Sequence, residues 1–241
     1  MSAAIDSSKT VGELVAERIS RSRVFEKYGI DYCCGGDTPF AEACAAGGAD
    51  PAAVAAELSE AEGVQLAGET DYKSIPLSRL CDEIEATHHA YMKRELPRLS
   101  DLLDKTQKAH GENHPELAEV CRVFRGLRME IEAHLMKEER ILFPMIRQIE
   151  VAAEMPRFHC GSMSGPVSVM EMEHDSAGEA LRRMSELTGG YEAPADACNT
   201  YRAALDGLRE MEGDLHLHIH KENNILFPRA LMAEQELCAR A

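Results

Sequence analysis

At 241 residues, with 44 % apolar residues and no Trp, the chain suits one sizeable domain, or a domain of roughly 150 residues with a small appendage. A formal charge of −16 argues against nucleic-acid binding through a broad basic face and against docking on an anionic membrane, since both need clustered Lys and Arg. No apolar run approaches the roughly 20 residues that span a bilayer, and Met1–Thr10 lacks the basic start and apolar stretch of a secretory signal. A cytoplasmic location is therefore expected.

In chain order, Val11, Leu14, Val15 and Ile19 form one helical stripe, followed by Val24, Phe25 and Tyr28 before Gly29. The chain then enters Ile30-Asp31-Tyr32-Cys33-Cys34-Gly35-Gly36. Further short helices fit Pro39 to Ala46 and Pro51 to Leu58. Residues 1–60 thus read as a small helical domain. The stretch 61–75, polar and Gly-containing, reads as a linker.

From Pro76 the pattern changes to four long amphipathic segments, at about 76–109, 115–150, 164–188 and 195–236, punctuated by Gly, Pro and Asn. No stretch shows clean period-2 alternation. The expectation is an all-α protein, a four-helix bundle over 76–241 preceded by the small helical domain. Eight Cys are present. Cys44, Cys81, Cys121, Cys198 and Cys238 are scattered singly through helical stretches and read as reduced, small core residues.

The chemistry lies in a phrase written twice. His134-Leu-Met-Lys-Glu138 runs into Ile141-Leu-Phe-Pro144, and His218-Ile-His-Lys-Glu222 runs into Ile225-Leu-Phe-Pro228. A His and a Glu four apart share one helix face and can reach one inward point. One such pair is weak, because polar i,i+4 pairs are common on exposed helices. Two at a constant offset, each preceded by a His some 45 residues earlier, point to a carboxylate-bridged metal pair. The third segment supplies His174. The first offers His88 and His89: the half-repeat slightly favours His89, whereas His88 continues the stripe of Leu80, Ile84 and Tyr91. The expected metal set is His89, His134, Glu138, His174, His218 and Glu222, a borderline-hard set suited to iron and also to manganese or zinc. By helical phase His216 and His220 point away from His218 and read as surface residues or as neighbours of the ligands. His110, His114 and His159 read as structural or solvated.

These residues resemble the hemerythrin-like di-iron bundles. The phrases Ser168-Val-Met-Glu-Met-Glu-His174-Asp and His218-Ile-His-Lys-Glu222-Asn-Asn-Ile-Leu-Phe-Pro-Arg229 narrow the resemblance to the Ric (repair of iron centres) family of YtfE- and ScdA-like proteins. Thr10-Val-Gly-Glu-Leu14, Val24-Phe-Glu-Lys27 and Gly29-Ile-Asp-Tyr-Cys-Cys-Gly-Gly36 are similar to that family's N-terminal, ScdA_N-like domain. The resemblance covers nearly the whole chain. It implies the same six ligands, with His89 chosen because the family ligand stands eight residues before the Leu-Pro proline, here Pro97. It also implies two iron ions in an oxo- and carboxylate-bridged non-haem centre.

The function so implied is repair of iron–sulfur clusters damaged by nitrosative or oxidative stress, by supplying iron. The partners would be damaged iron–sulfur proteins as clients, nitric oxide or dioxygen as small ligands, and an electron donor, with neither nucleic acid nor membrane. The alternative is a nitric oxide reductase, or a di-iron protein that binds or scavenges nitric oxide. Oxygen carriers of the hemerythrin type use five His and two carboxylates, against four clear bundle His here. For Cys33 and Cys34 two readings stand. One is a buried turn in which small residues let helices approach and Gly35 and Gly36 take unusual backbone angles. The other is an exposed thiol pair that accepts iron, reacts with nitric oxide or contacts a damaged client.

Overall fold

In the computed structural model, residues 5–61 and 71–240 are described, and among them every extended element is helical. The N-terminal helices are α1 (Val11–Glu17), α2 (Ser22–Lys27), α3 (Phe40–Ala46) and α4 (Pro51–Ala61). The long segments contain α5 (Leu77–Ile84), α6 (Ala90–His110), α7 (Glu116–Lys137), α8 (Phe143–Val151), α9 (Ser164–Leu187), α10 (Asn199–Lys221) and α11 (Phe227–Arg240). Three of the junctions are single π-helical turns: π1 (Glu85–His89), π2 (Glu138–Leu142) and π3 (Glu222–Leu226).

The chain divides into two units. One gathers Met1–Leu80, Ile149–Pro156 and His216–Ala241. Here α1 starts at a capping box, in which the Thr10 hydroxyl accepts from the Glu13 amide at 3.2 Å and the Glu13 carboxylate accepts from the Thr10 amide at 2.9 Å. Val11, Leu14, Val15, Phe25, Phe40, Val54 and Leu58 are buried around an edge-to-face Phe25–Phe40 pair with centroids 6.3 Å apart. Of the stripe legible in the sequence, Val11, Leu14 and Val15 are buried and Ile19 is half-buried. α1 packs on π3, and the expected linker 61–75 falls largely outside the described residues. Its end is tied down: Arg229 donates to the carbonyls of Tyr72 (2.8 Å) and Ile75 (2.6 Å), and the Lys221 ammonium sits 4.7 Å from the Tyr72 ring centroid.

The other unit holds Cys81–Gln148 and Arg157–Leu215. It contains α6, α7, α9 and most of α10, the four long helices of a bundle. Met92, Leu96, Leu99 and Leu103 of α6 are buried, as are Leu117, Val120, Phe124, Leu127 and Ile131 of α7. Val167, Met170, Leu181 and Met184 of α9 and Leu205, Leu208 and Met211 of α10 complete the core. Burying each such side chain contributes roughly 1.5–3 kcal/mol before entropy is charged against it. α7 packs on both α6 and α9, and α10 approaches α6 at Gly207, where a Cβ would lie 2.6 Å from a Leu99 methyl. After α9 the chain reverses through Gly189, Gly190 and Tyr191, all at positive φ (60°, 77° and 61°). Tyr191 is held in this unfavourable conformation by burial and by its hydroxyl donating to the Leu181 carbonyl.

Single placement of Cys in helices did not foretell burial. Cys44, Cys81 and Cys121 are buried, but Cys198 and Cys238 are exposed, as is Cys160. A helix start and a C-terminal helix face leave the latter two in solvent. No helix of the described residues is long and apolar enough to cross a membrane.

Candidate metal centre

The repeated phrase places its two carboxylates on the first residue of π2 and of π3. Each π-turn leads directly to a Phe-Pro pair. The amides of Phe143 and Phe227 reach back five residues, to the carbonyls of Glu138 and Glu222, and the proline that follows has no N–H to continue the ladder. The Ile-Leu-Phe-Pro tail is thus the local reason that the helix widens just after each Glu. π1 performs the same widening at His88 and His89.

Glu138 turns its two oxygens to different imidazoles: Oε2 lies 3.4 Å from His89 Nε2 and Oε1 lies 3.3 Å from His134 Nε2. His174 Nε2 lies 3.0 Å from His134 Nε2. In the other copy, Glu222 Oε1 lies 3.1 Å from His218 Nε2. One ligand atom from each of His89, Glu138, His218 and Glu222 lies within 4.8 Å of the others, and the same holds for His134, Glu138, His174 and Glu222. Both carboxylates belong to both groups, and none of the six residues is more than 6 % exposed. Two anionic groups withdrawn from water among imidazoles are costly unless a cation compensates them, so the donor set fits a metal. Imidazole with carboxylate suits iron, manganese or zinc.

Further side chains orient these imidazoles. His89 Nδ1 lies 2.8 Å from Glu139, which also accepts from Lys93, while the Phe143 ring stacks on His89 with centroids 5.6 Å apart. His134 Nδ1 lies 2.8 Å from Glu173, which also pairs with Lys137. Partial burial pushes both Glu139 and Glu173 up, but the bonds from their Lys and His partners outweigh this and hold each below the usual carboxylate range. An ionised carboxylate at Nδ1 keeps the ring proton there and leaves the Nε2 lone pair for a cation. His88 faces elsewhere, with Nδ1 3.0 Å from Asp214.

The hemerythrin HHE cation binding domain matches residues 82–230, and the ScdA_N domain, described as a domain of unknown function (DUF542), matches residues 7–62. Relatives named iron-sulfur cluster repair protein YtfE, from Citrobacter koseri and Escherichia coli O157:H7, are 38 % identical over 224 residues. One of the same name from Shigella boydii serotype 4 is 37 % identical. In all three the alignment covers 93 % of this chain and 97 % of the relative. The chain belongs to the Ric family of hemerythrin-like proteins.

Within this Ric-family fold, the Cys pair divides by burial. Cys33 is 6 % exposed and Cys34 half-buried, and both are free thiols, so an exposed pair is not what the structure shows. Contact with the Cys34 thiol, then burial and the Asp31 carboxylate, push the Cys33 thiol well above the usual range. Asp31 also accepts from the amides of Cys33 (2.9 Å), Cys34 (3.0 Å) and Gly35 (3.0 Å), which shapes the turn. Gly35 and Gly36 do not take positive φ, contrary to expectation, and the reason for Gly36 is space. His220 is fully buried rather than at the surface, with Nδ1 3.2 Å from the Tyr32 carbonyl, and burial pushes its imidazole down to about 4. Of the two readings that helical phase left open for His220, the surface one fails, because that side of α10 meets the Tyr32 turn.

Sequence reasoning also missed Glu139 and Glu173. A signal was available: each stands beside a ligand in the chain, and a Lys lies four residues after His89 and three after His134.

Proposed function

We propose that this chain is a di-iron protein that supplies iron to iron–sulfur clusters damaged by nitrosative or oxidative stress. The observation that carries the reading is the bridging posture of Glu138, whose two oxygens face His89 and His134 at 3.4 and 3.3 Å. Membership of a family whose relatives are named for iron–sulfur cluster repair supports the role. The two domain matches support reading residues 1–60 and 76–241 as separate domains. The charge of −16 supports a reading without nucleic-acid or anionic-membrane partners, and the location proposed with it is the cytoplasm.

Four imidazoles would hold the iron, His89 and His218 from one group and His134 and His174 from the other. Glu138 and Glu222, which belong to both groups, would each supply a carboxylate to the pair. When bound, the pair supplies one-electron redox chemistry at buried non-haem iron. Glu139 and Glu173 hold the Nδ1 protons of His89 and His134, and Phe143 covers the His89 ring. Lowering the charge of the cargo on reduction weakens its attraction to the two carboxylates, so delivery is gated by an external electron donor and ends at an apo iron–sulfur client.

The test is chelator-accessible iron from the purified protein before and after reduction, paired with transfer to an apo iron–sulfur protein. Release and transfer only after reduction are expected. Equal retention in both states contradicts delivery.

A further inference from the structure

The turn that carries Cys33 and Cys34 is fastened to the same backbone turn that carries Glu222. Asn224, the third residue of π3, donates from Nδ2 to the Cys33 carbonyl at 3.0 Å and approaches the Tyr32 carbonyl at 3.4 Å. On its other side the amide is wedged between two glycines. A Cβ on Gly36 would lie 2.0 Å from Asn224 Oδ1, and one on Gly12 would lie 2.5 Å away. Those glycines are themselves joined, Gly12 donating to the Gly36 carbonyl at 2.8 Å. His220, one turn earlier, adds Nδ1 at 3.2 Å from the Tyr32 carbonyl and packs its ring against Tyr32 with centroids 5.6 Å apart. A side chain at Gly36 or Gly12 would strike Asn224, so the thiol turn and π3 lie in direct contact.

We propose that Asn224 is a positioning residue that couples the Cys34 thiol to metal held at Glu222. The coupling rests on the di-iron reading, because it requires Glu222 to be a ligand. Iron at Glu222 fixes the π3 backbone, and a fixed π3 presents Asn224 squarely to the Cys33 carbonyl, which holds the turn shut over the half-buried Cys34. Without iron π3 relaxes, the hydrogen bonds lengthen, and Cys34 becomes more accessible. Linkage makes the effect reciprocal: a group attached at Cys34 that props the turn open weakens iron retention by the factor by which iron protects the thiol. Cys33 is not the reporter, because it is buried and its thiol is held protonated.

The probe is N-ethylmaleimide, which alkylates the Cys34 thiol: the sulfur adds to one carbon of the maleimide double bond, and a proton goes to the other. The rate is read on the Cys34 peptide by mass spectrometry, so that exposed Cys160, Cys198 and Cys238 do not interfere. Cys198 in particular reacts early, because the Tyr201 amide and then His110 lower its thiol to about 7. In the wild-type chain, iron loading is expected to slow Cys34 alkylation about fivefold, the factor that one hydrogen bond contributes. Asn224→Ala is expected to alkylate faster than metal-free wild type and at one rate with or without iron. Gly36→Ala is expected to behave likewise with a lowered Tm, and Gly36→Ala/Asn224→Ala to recover part of that Tm because the clash is gone.

An Asn224→Ala chain that keeps the wild-type iron dependence overturns the coupling. A metal-free Asn224→Ala chain that alkylates no faster than wild type overturns the latch. Unchanged Tm and Cys34 rate in Gly36→Ala would do so too. A wild-type chain that holds no iron overturns the di-iron reading and the coupling with it. That failure is distinguishable, because the Asn224→Ala rate difference in the metal-free chain then survives alone.

Discussion

At the scale of single residues, the candidate centre is a contest between burying charge and compensating it. Glu138 and Glu222 are fully buried, and His89 and His134 each have an acid behind them. That acid does more than hold a ring in place. By keeping the proton on Nδ1 it decides which nitrogen is a lone pair. Glu173→Gln leaves the size of the side chain unchanged but removes the charge, and metal affinity is expected to fall about 10- to 100-fold, as such outer partners do elsewhere. Competition against a chromophoric chelator measures it. The adjacent pair His88-His89 gives a sharper contrast. His89→Ala is expected to lower iron content per chain, while His88→Ala is expected to leave it unchanged, because His88 Nδ1 faces Asp214. Elemental analysis of both variants decides between them.

At the scale of elements, caps and π-turns govern where the helices begin and widen. Glu150 of α8 accepts from the Leu77 and Ser78 amides, the latter at 3.0 Å, and so caps α5 from a distant part of the chain. Burial pushes its carboxyl up, but the Ser78 and Leu77 bonds prevail and hold it below 4.5. A carboxyl whose folded pKa is depressed stabilises fully above its unfolded value and loses that contribution as pH falls through the folded pKa. The stability gap between wild type and Glu150→Gln is therefore expected to be constant near neutral pH and to close as the pH drops below 4.5, read from urea unfolding at each pH. At α1, Thr10→Ala removes one half of the capping box and is expected to cost about 1 kcal/mol, measured in the same way. The π-turns were not legible in the amphipathic pattern, because periodicity is too coarse to register one extra residue in a turn. For π2 and π3 the cause was in view, in the Phe-Pro that follows Glu138 and Glu222; π1 carries no such mark.

For the whole molecule, the long helices were legible because four segments of 3.6-residue periodicity leave few alternatives. The His–Glu repeat was legible because two copies at one offset expose a shared purpose. What escaped the sequence was contact between distant parts of the chain: His220 against Tyr32, Asn224 against Gly12 and Gly36, and Glu173 behind His134. None of these leaves a local pattern, since each depends on which helix face another segment covers. Gly36 illustrates it. A glycine in a turn suggests backbone freedom, but here it makes room for a side chain 188 positions later in the chain.

If metal binds the folded chain and not the unfolded one, it stabilises the fold by mass action, so removing iron with a chelator is expected to lower Tm. Glu138→Ala is expected to show a much smaller chelator effect by calorimetry. The most direct test of the central claim is the iron content of the anaerobically purified wild-type chain, read together with its Mössbauer spectrum. The account predicts two irons per chain in a coupled pair. A single iron, or zinc alone, would contradict it.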